Sequence, residues 1–163
     1  MKVDIQGRYF TKIQRNYLQD FANWAGYKLM GGRLSRHINL KIHLYHPNYY
    51  QKNCLYAETD YTDYGRKNPR NFIVTMASKF GLLKSLIILS HEMVHVKQFA
   101  IGELHWPEEN LYPRWKGKKL DYDNISYWDL PYEIEAHGRE KGLVFQWCDD
   151  KKLWKEPWYR EIF

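Results

Sequence analysis

A chain of 163 residues has the length of one ordinary domain and leaves no room for a second, cofactor-binding half. With 44% hydrophobic, 17% aromatic and 27% charged residues it has the side chains for a packed core, which excludes intrinsic disorder and a membrane-embedded bundle. Lys plus Arg number 25 against 19 for Asp plus Glu, a net charge of +6 that favours anionic partners only nonspecifically.

The opening residues, Met1 to Arg8, include an acid and no apolar stretch, so no secretory signal is expected. The longest apolar run, Leu82 to Leu89, is broken by Lys84 and Ser85 and falls short of the roughly 18 residues of a membrane span. The expected location is therefore the cytoplasm. Cys54 and Cys148 are too far apart for a Cys-x-x-Cys pair, and both are expected to be reduced and structural.

Tyr9, Ile13, Tyr17, Leu18, Phe21 and Trp24 recur at steps of three and four, which predicts an amphipathic helix over Tyr9 to Met30, stopped by Gly31-Gly32. From His37 the pattern alternates, with Ile38, Leu40, Ile42 and Leu44 on one face, as a half-buried strand requires. Asn53 to Thr62 and Arg70 to Ser78 read as two further strands. From Phe80 to about Gly102 the helical period returns, apolar around most of its circumference up to Leu89, as in a buried central helix. Gly102 to Leu130 holds Pro107, Pro113 and Gly117 among many aromatics and reads as a long ordered loop. Pro131 suits the first turn of a last helix, running to about Leu153 and expected to bury Ile134, Leu143, Val144 and Trp147. The tail 151–160 mixes cations with tryptophans. Such mixing can bind single-stranded nucleic acid, but the expectation is that its tryptophans fold back on the domain. The fold class is α+β, in one domain over 1–163.

The central helix carries His91-Glu92-Met93-Val94-His95. Two histidines four apart on a helix point the same way and can reach one cation, with the glutamate between them leaning to where an activated water would sit. A catalytic zinc takes three protein ligands and keeps a fourth position open, so a third ligand must come from elsewhere. The last helix opens with Pro131-Tyr132-Glu133-Ile134-Glu135-Ala136-His137, and Glu133 follows His95 by 38 residues. Glu133 and His137 share a helical face, while Glu135 points about 160° away from Glu133. Only one face can look at the metal. Ala136 is small enough to let the two helices approach.

These motifs make the chain resemble a compact zincin, an HExxH metallopeptidase of gluzincin type. The Glu133-Ile134-Glu135-Ala136 stretch is similar to the E-x-E-A arrangement of ImmA/IrrE-like proteins. The order helix, strands, HExxH helix and ligand helix also resembles the minimal zincin core of SprT-like proteins, and the Trp-x-x-Pro-Tyr-Glu-x-Glu-Ala stretch is similar to that of small zincin-like phage proteins. The resemblance implies a zinc endopeptidase with an N-terminal helix, a three- to four-stranded sheet, His91, His95 and Glu133 as metal ligands, and Glu92 as general base. Where that family commonly has Asp after Glu-x-x-Ala, this chain has His137. It is therefore either a partner behind a ligand or, as in three-histidine SprT-like sites, the ligand itself. The strand Arg70 to Ser78 is expected to present a sheet edge to an extended peptide substrate.

A donor to the oxyanion is expected among Tyr112, Tyr122, Tyr127, Arg139 and His137, with Tyr127 and Tyr122 the first candidates. His105, in the loop, is a weaker ligand candidate, and Glu135 can pair with Arg139 at i, i+4. Two further functions stay open: a zincin-fold binding module without catalysis, and a protease acting on nucleic-acid-associated proteins.

Overall fold

The chain opens with a strand before its first helix. In the computed structural model, which describes residues 1–7, 9–45, 56–107 and 112–162, β1 (Lys2–Gln6) pairs in parallel with β2 (Asn39–Tyr45). Sequence reading misses β1 because only Val3 and Ile5 mark its alternation. β2 pairs in parallel with β4 (Asn71–Ala77), and β3 (Ala57–Tyr61) runs antiparallel along β4, giving the sheet order β1-β2-β4-β3. The register sets Leu40, Ile42 and Leu44 beside Phe72, Val74 and Met76, all buried. One face of the sheet therefore faces the core along its whole length. Residues 53–55 of the strand expected from Asn53, Cys54 among them, lie outside the described residues.

The first helix, α1 (Lys12–Ser35), begins later than Tyr9 because Thr11 caps it: the Thr11 hydroxyl accepts from the Gln14 amide while the Gln14 side chain accepts from the Thr11 amide. Tyr9 and Ile13, expected on its buried face, are 49% and 68% exposed. Gly31 does break the helix, at φ +74°, but one further turn follows to Ser35. The central helix α2 (Leu82–Ile101) ends at Gly102, φ +76°, where a Cβ would stand 3.1 Å from the Asn68 amide. α3 (Pro131–Lys151) buries Leu143, Val144 and Trp147 as expected, and Ala136 at the crossing with α2. Ile134 is the correction, at 55% exposed, because α3 turns its Glu133–Ala136 face to α2.

The stretch between α2 and α3 is more than loop. It holds a small antiparallel sheet of β5 (Leu104–His105), β6 (Arg114–Trp115) and β7 (Lys118–Lys119), then a 3-10 turn at Tyr127–Asp129. The fold is thus α+β, with three helices, a four-stranded mixed sheet and a small three-stranded one. Among the described residues no helix is long and apolar enough to cross a membrane. Cys148 is a buried free thiol, pushed up to about 11 by burial and by Asp149.

In the tail, Trp158 folds back and stacks on Trp147 at 6.2 Å, while Trp154 is 45% exposed. Trp147 is fully buried, meets Phe21 edge-on at 5.4 Å, and donates from Nε1 to Asp20 Oδ2 at 2.9 Å. Trp147→Ala should cost about 3–5 kcal/mol, read as a lower midpoint in urea unfolding. A loss under about 1 kcal/mol would show that the aromatic cluster does not anchor α3.

Candidate metal centre

His91 and His95 stand one turn apart on the face of α2 turned towards α3, and Glu133 stands in the first turn of α3. Their side-chain atoms converge. His91 Nε2 lies 3.1 Å from His95 Nε2 and 3.2 Å from Glu133 Oε2, and His95 Nε2 lies 3.5 Å from the same oxygen. Ligand atoms about 2.0–2.1 Å from a tetrahedral zinc stand about 3.3 Å apart, so the three atoms fit the ion's coordination shell. His91, Glu133 and His137 also form a group that can hold a metal ion, their ligand atoms within 4.8 Å of one another.

The outer nitrogens show what the inner ones offer. His91 Nδ1 is 3.1 Å from Glu140 Oε2, and His95 Nδ1 is 2.8 Å from Gln98 Oε1. A carboxylate and a carbonyl can only accept, so each Nδ1 carries the hydrogen and each neutral ring keeps its Nε2 lone pair for the centre. Three acceptors, two imidazole nitrogens and a carboxylate oxygen, therefore face one another at 3.1–3.5 Å with no hydrogen of their own between them. Such a cluster calls for a cation or an added proton. Burial works against ionising Glu133, yet the closeness of His91 and His95, either of which can take up a proton, together with the hydrogen bond from Tyr127, outweighs it and holds the carboxyl far below its ordinary range. Burial likewise works against charging His95, but Glu133 and Glu92 raise it.

Glu92 is 5% exposed, and its Oε2 accepts from Thr59 Oγ1 at 2.6 Å. Burial pushes its carboxyl up, against the pull of His95 and Thr59. Thr59 comes from β3, which corrects the expectation for the strand 70–78: β4 is interior, and β3 is the sheet edge beside the site. A cleft of about 390 Å³ along it is lined by Thr59, His95, Tyr122, Tyr132 and Glu133 among others. A second, about 570 Å³, is walled by Ile87, Ile88, Trp128 and His137. The two share Ala57, His91, Glu92 and Tyr127 in their walls, so the acceptor cluster stands between them.

Tyr127 donates its hydroxyl to Glu133 Oε2 at 2.8 Å, and burial with that bond raises its ionisation well above the ordinary range. It therefore stays a donor at neutral pH. His137 sits under Trp128, with Nδ1 3.2 Å from Glu140 Oε2 and Nε2 3.4 Å from Tyr127 Oη. Tyr122 reaches the cleft wall at 40% exposure.

Three other candidates stand elsewhere. Tyr112 donates to Asp123. Arg139 pairs with Glu135 at 3.0 Å, as the i, i+4 spacing predicts. His105 lines a separate cavity with Lys67, Arg114 and Lys116, where burial and the neighbouring cations lower its pKa. Thr59, Gln98 and Glu140 are the residues sequence reading passed over. For Glu140 and Gln98 the signal was present, since Gln98 is i+3 from His95 and Glu140 is i+3 from His137, but nothing in the chain marks Thr59.

Comparisons with protein-family models, with curated proteins and with solved structures return no match for this chain.

Proposed function

We propose that the protein is a zinc-dependent peptidase, with His91, His95 and Glu133 holding the metal and Glu92 acting as general base. The observation that carries this reading is the convergence of three lone-pair atoms at 3.1–3.5 Å beside a buried glutamate on an open cleft. Bound there, zinc supplies Lewis acidity and an acidified water. The chain does the rest. Thr59 holds Glu92 Oε2, leaving Oε1 to take a proton from the attacking water and return it to the leaving amine. Tyr127 steadies Glu133, and Tyr122 offers a hydroxyl to the charge developing on the carbonyl oxygen. β3 is the outer strand of the four-stranded sheet and borders the cleft through Ala57 and Thr59, a position from which a sheet edge can hold an extended peptide.

Protein purified in the presence of zinc is expected to hold one ion per chain by elemental analysis. It should cleave unfolded casein, and it should lose both ion and activity to a chelator. Sub-stoichiometric zinc after metal loading would overturn the reading. A second reading, a closed metal site without catalysis, draws on His137, whose ligand atom joins those of His91 and Glu133 within 4.8 Å.

A further inference from the structure

We propose that Gln98 is a positioning residue for this centre: pinned between α2 and α3, its amide fixes His95 in the tautomer whose Nε2 can bind a metal. The inference rests on the zinc reading for its consequence, but its structural content can be tested without metal.

Gln98 is fully buried one turn after His95. One end of its amide lies 2.9 Å from the Tyr132 carbonyl oxygen and 3.1 Å from Glu135 Oε2. Both neighbours are acceptors, so that end is the NH2, with both hydrogens spent. The other end is then the carbonyl oxygen, and it stands 2.8 Å from His95 Nδ1. Nδ1 must carry the hydrogen, and Nε2 is left bare towards His91 and Glu133. Turning the amide over would set an oxygen against two acceptors. It would also set an NH2 against Nδ1, driving the imidazole hydrogen onto Nε2 and into the place of the metal.

Glu135, on the face of α3 away from the metal, gains a purpose from this. Its carboxylate is itself held by Lys97 Nζ at 3.0 Å and Arg139 Nε at 3.0 Å, and Lys97 is only 12% exposed and bridges on to Glu103. The two acids of the Glu133-Ile134-Glu135 stretch thus serve the same histidine from opposite sides: Glu133 faces its Nε2, and Glu135 holds the amide that caps its Nδ1.

The test uses the whole chain with its imidazoles labelled with nitrogen-15. In metal-free parent at pH 9, long-range proton–nitrogen spectra are expected to show His95 with its hydrogen on Nδ1. Gln98→Met, similar in shape but unable to accept, should give mixed tautomers. It should also bind zinc 10–100-fold more weakly in competition with a chromophoric chelator. Glu135→Leu, which frees one amide hydrogen, should weaken zinc several-fold, and Glu135→Gln, which keeps a carbonyl acceptor, should recover most of the loss. The Glu135 pair carries the test if Gln98→Met fails to fold. A parent His95 with its hydrogen on Nε2 would overturn the proposal, as would Gln98→Met or Glu135→Leu binding zinc as tightly as the parent. A parent that binds no zinc yet shows the Nδ1–H tautomer would count against the peptidase reading and leave Gln98's role standing.

Discussion

Glu92→Gln is expected to abolish peptide hydrolysis while leaving the zinc content and the fold of the parent. The amide fills the same space, and its carbonyl can still accept from Thr59 Oγ1, which now holds Glu92 Oε2 at 2.6 Å. It cannot take a proton. Loss of a general base of this kind costs about 10²–10⁴-fold in rate, enough to remove detectable cleavage of a fluorogenic peptide pool. Stability should move the other way. Burial raises the Glu92 carboxyl, so its ionisation opposes folding as pH rises through its unfolded value. The neutral amide escapes that cost, so the metal-free variant should melt no lower than the parent at pH 8. Cleavage by the variant at the parental rate, with zinc content equal in both, would show that Glu92 is not the base.

The HExxH helix was legible because two signals coincide there: the spacing His91–His95 has only one helical geometry, and the apolar run before it demands burial. Strands β2 and β4 were legible for the same reason, each keeping a two-residue period with three buried partners in register. What escaped was set by pairing across distance. β1 has two apolar residues and becomes a strand because β2 offers it an edge, and β3 becomes the edge beside the site because it reverses direction along β4. Neither fact has a local cause. Thr59 shows the consequence: an ordinary threonine in a short strand, it orients Glu92 across 33 residues of chain only because β3 runs alongside α2. Ile134 shows the opposite error, an apolar residue counted into a helix's buried side when the neighbouring face, carrying Glu133 and Ala136 and continuing through Leu143 and Trp147, is the one that packs.

Whether His137 stays behind Glu133, replaces it or joins it as a ligand is where the functional readings part, and the first of these predicts opposite results for the two substitutions. Glu133→Ala should purify without zinc, because it removes an oxygen 3.2 Å from His91 Nε2 and 3.5 Å from His95 Nε2, the one carboxylate among the converging atoms. His137→Ala should keep the ion. His137 shares Glu140 with His91, through bonds of 3.2 and 3.1 Å, and its other nitrogen lies 3.4 Å from the Tyr127 hydroxyl. Its removal leaves Glu140 to hold His91 alone, a change behind the ligands that typically costs about 10–100-fold in affinity or activity. Elemental analysis of both variants beside the parent, followed by chelator competition for those that retain zinc, separates the cases. Zinc lost from His137→Ala and kept by Glu133→Ala would replace the carboxylate with a third histidine as ligand. Zinc weakened about equally by both would make the site four-coordinate and closed, with no open position for a water, and would move the protein from catalysis to metal-stabilised binding.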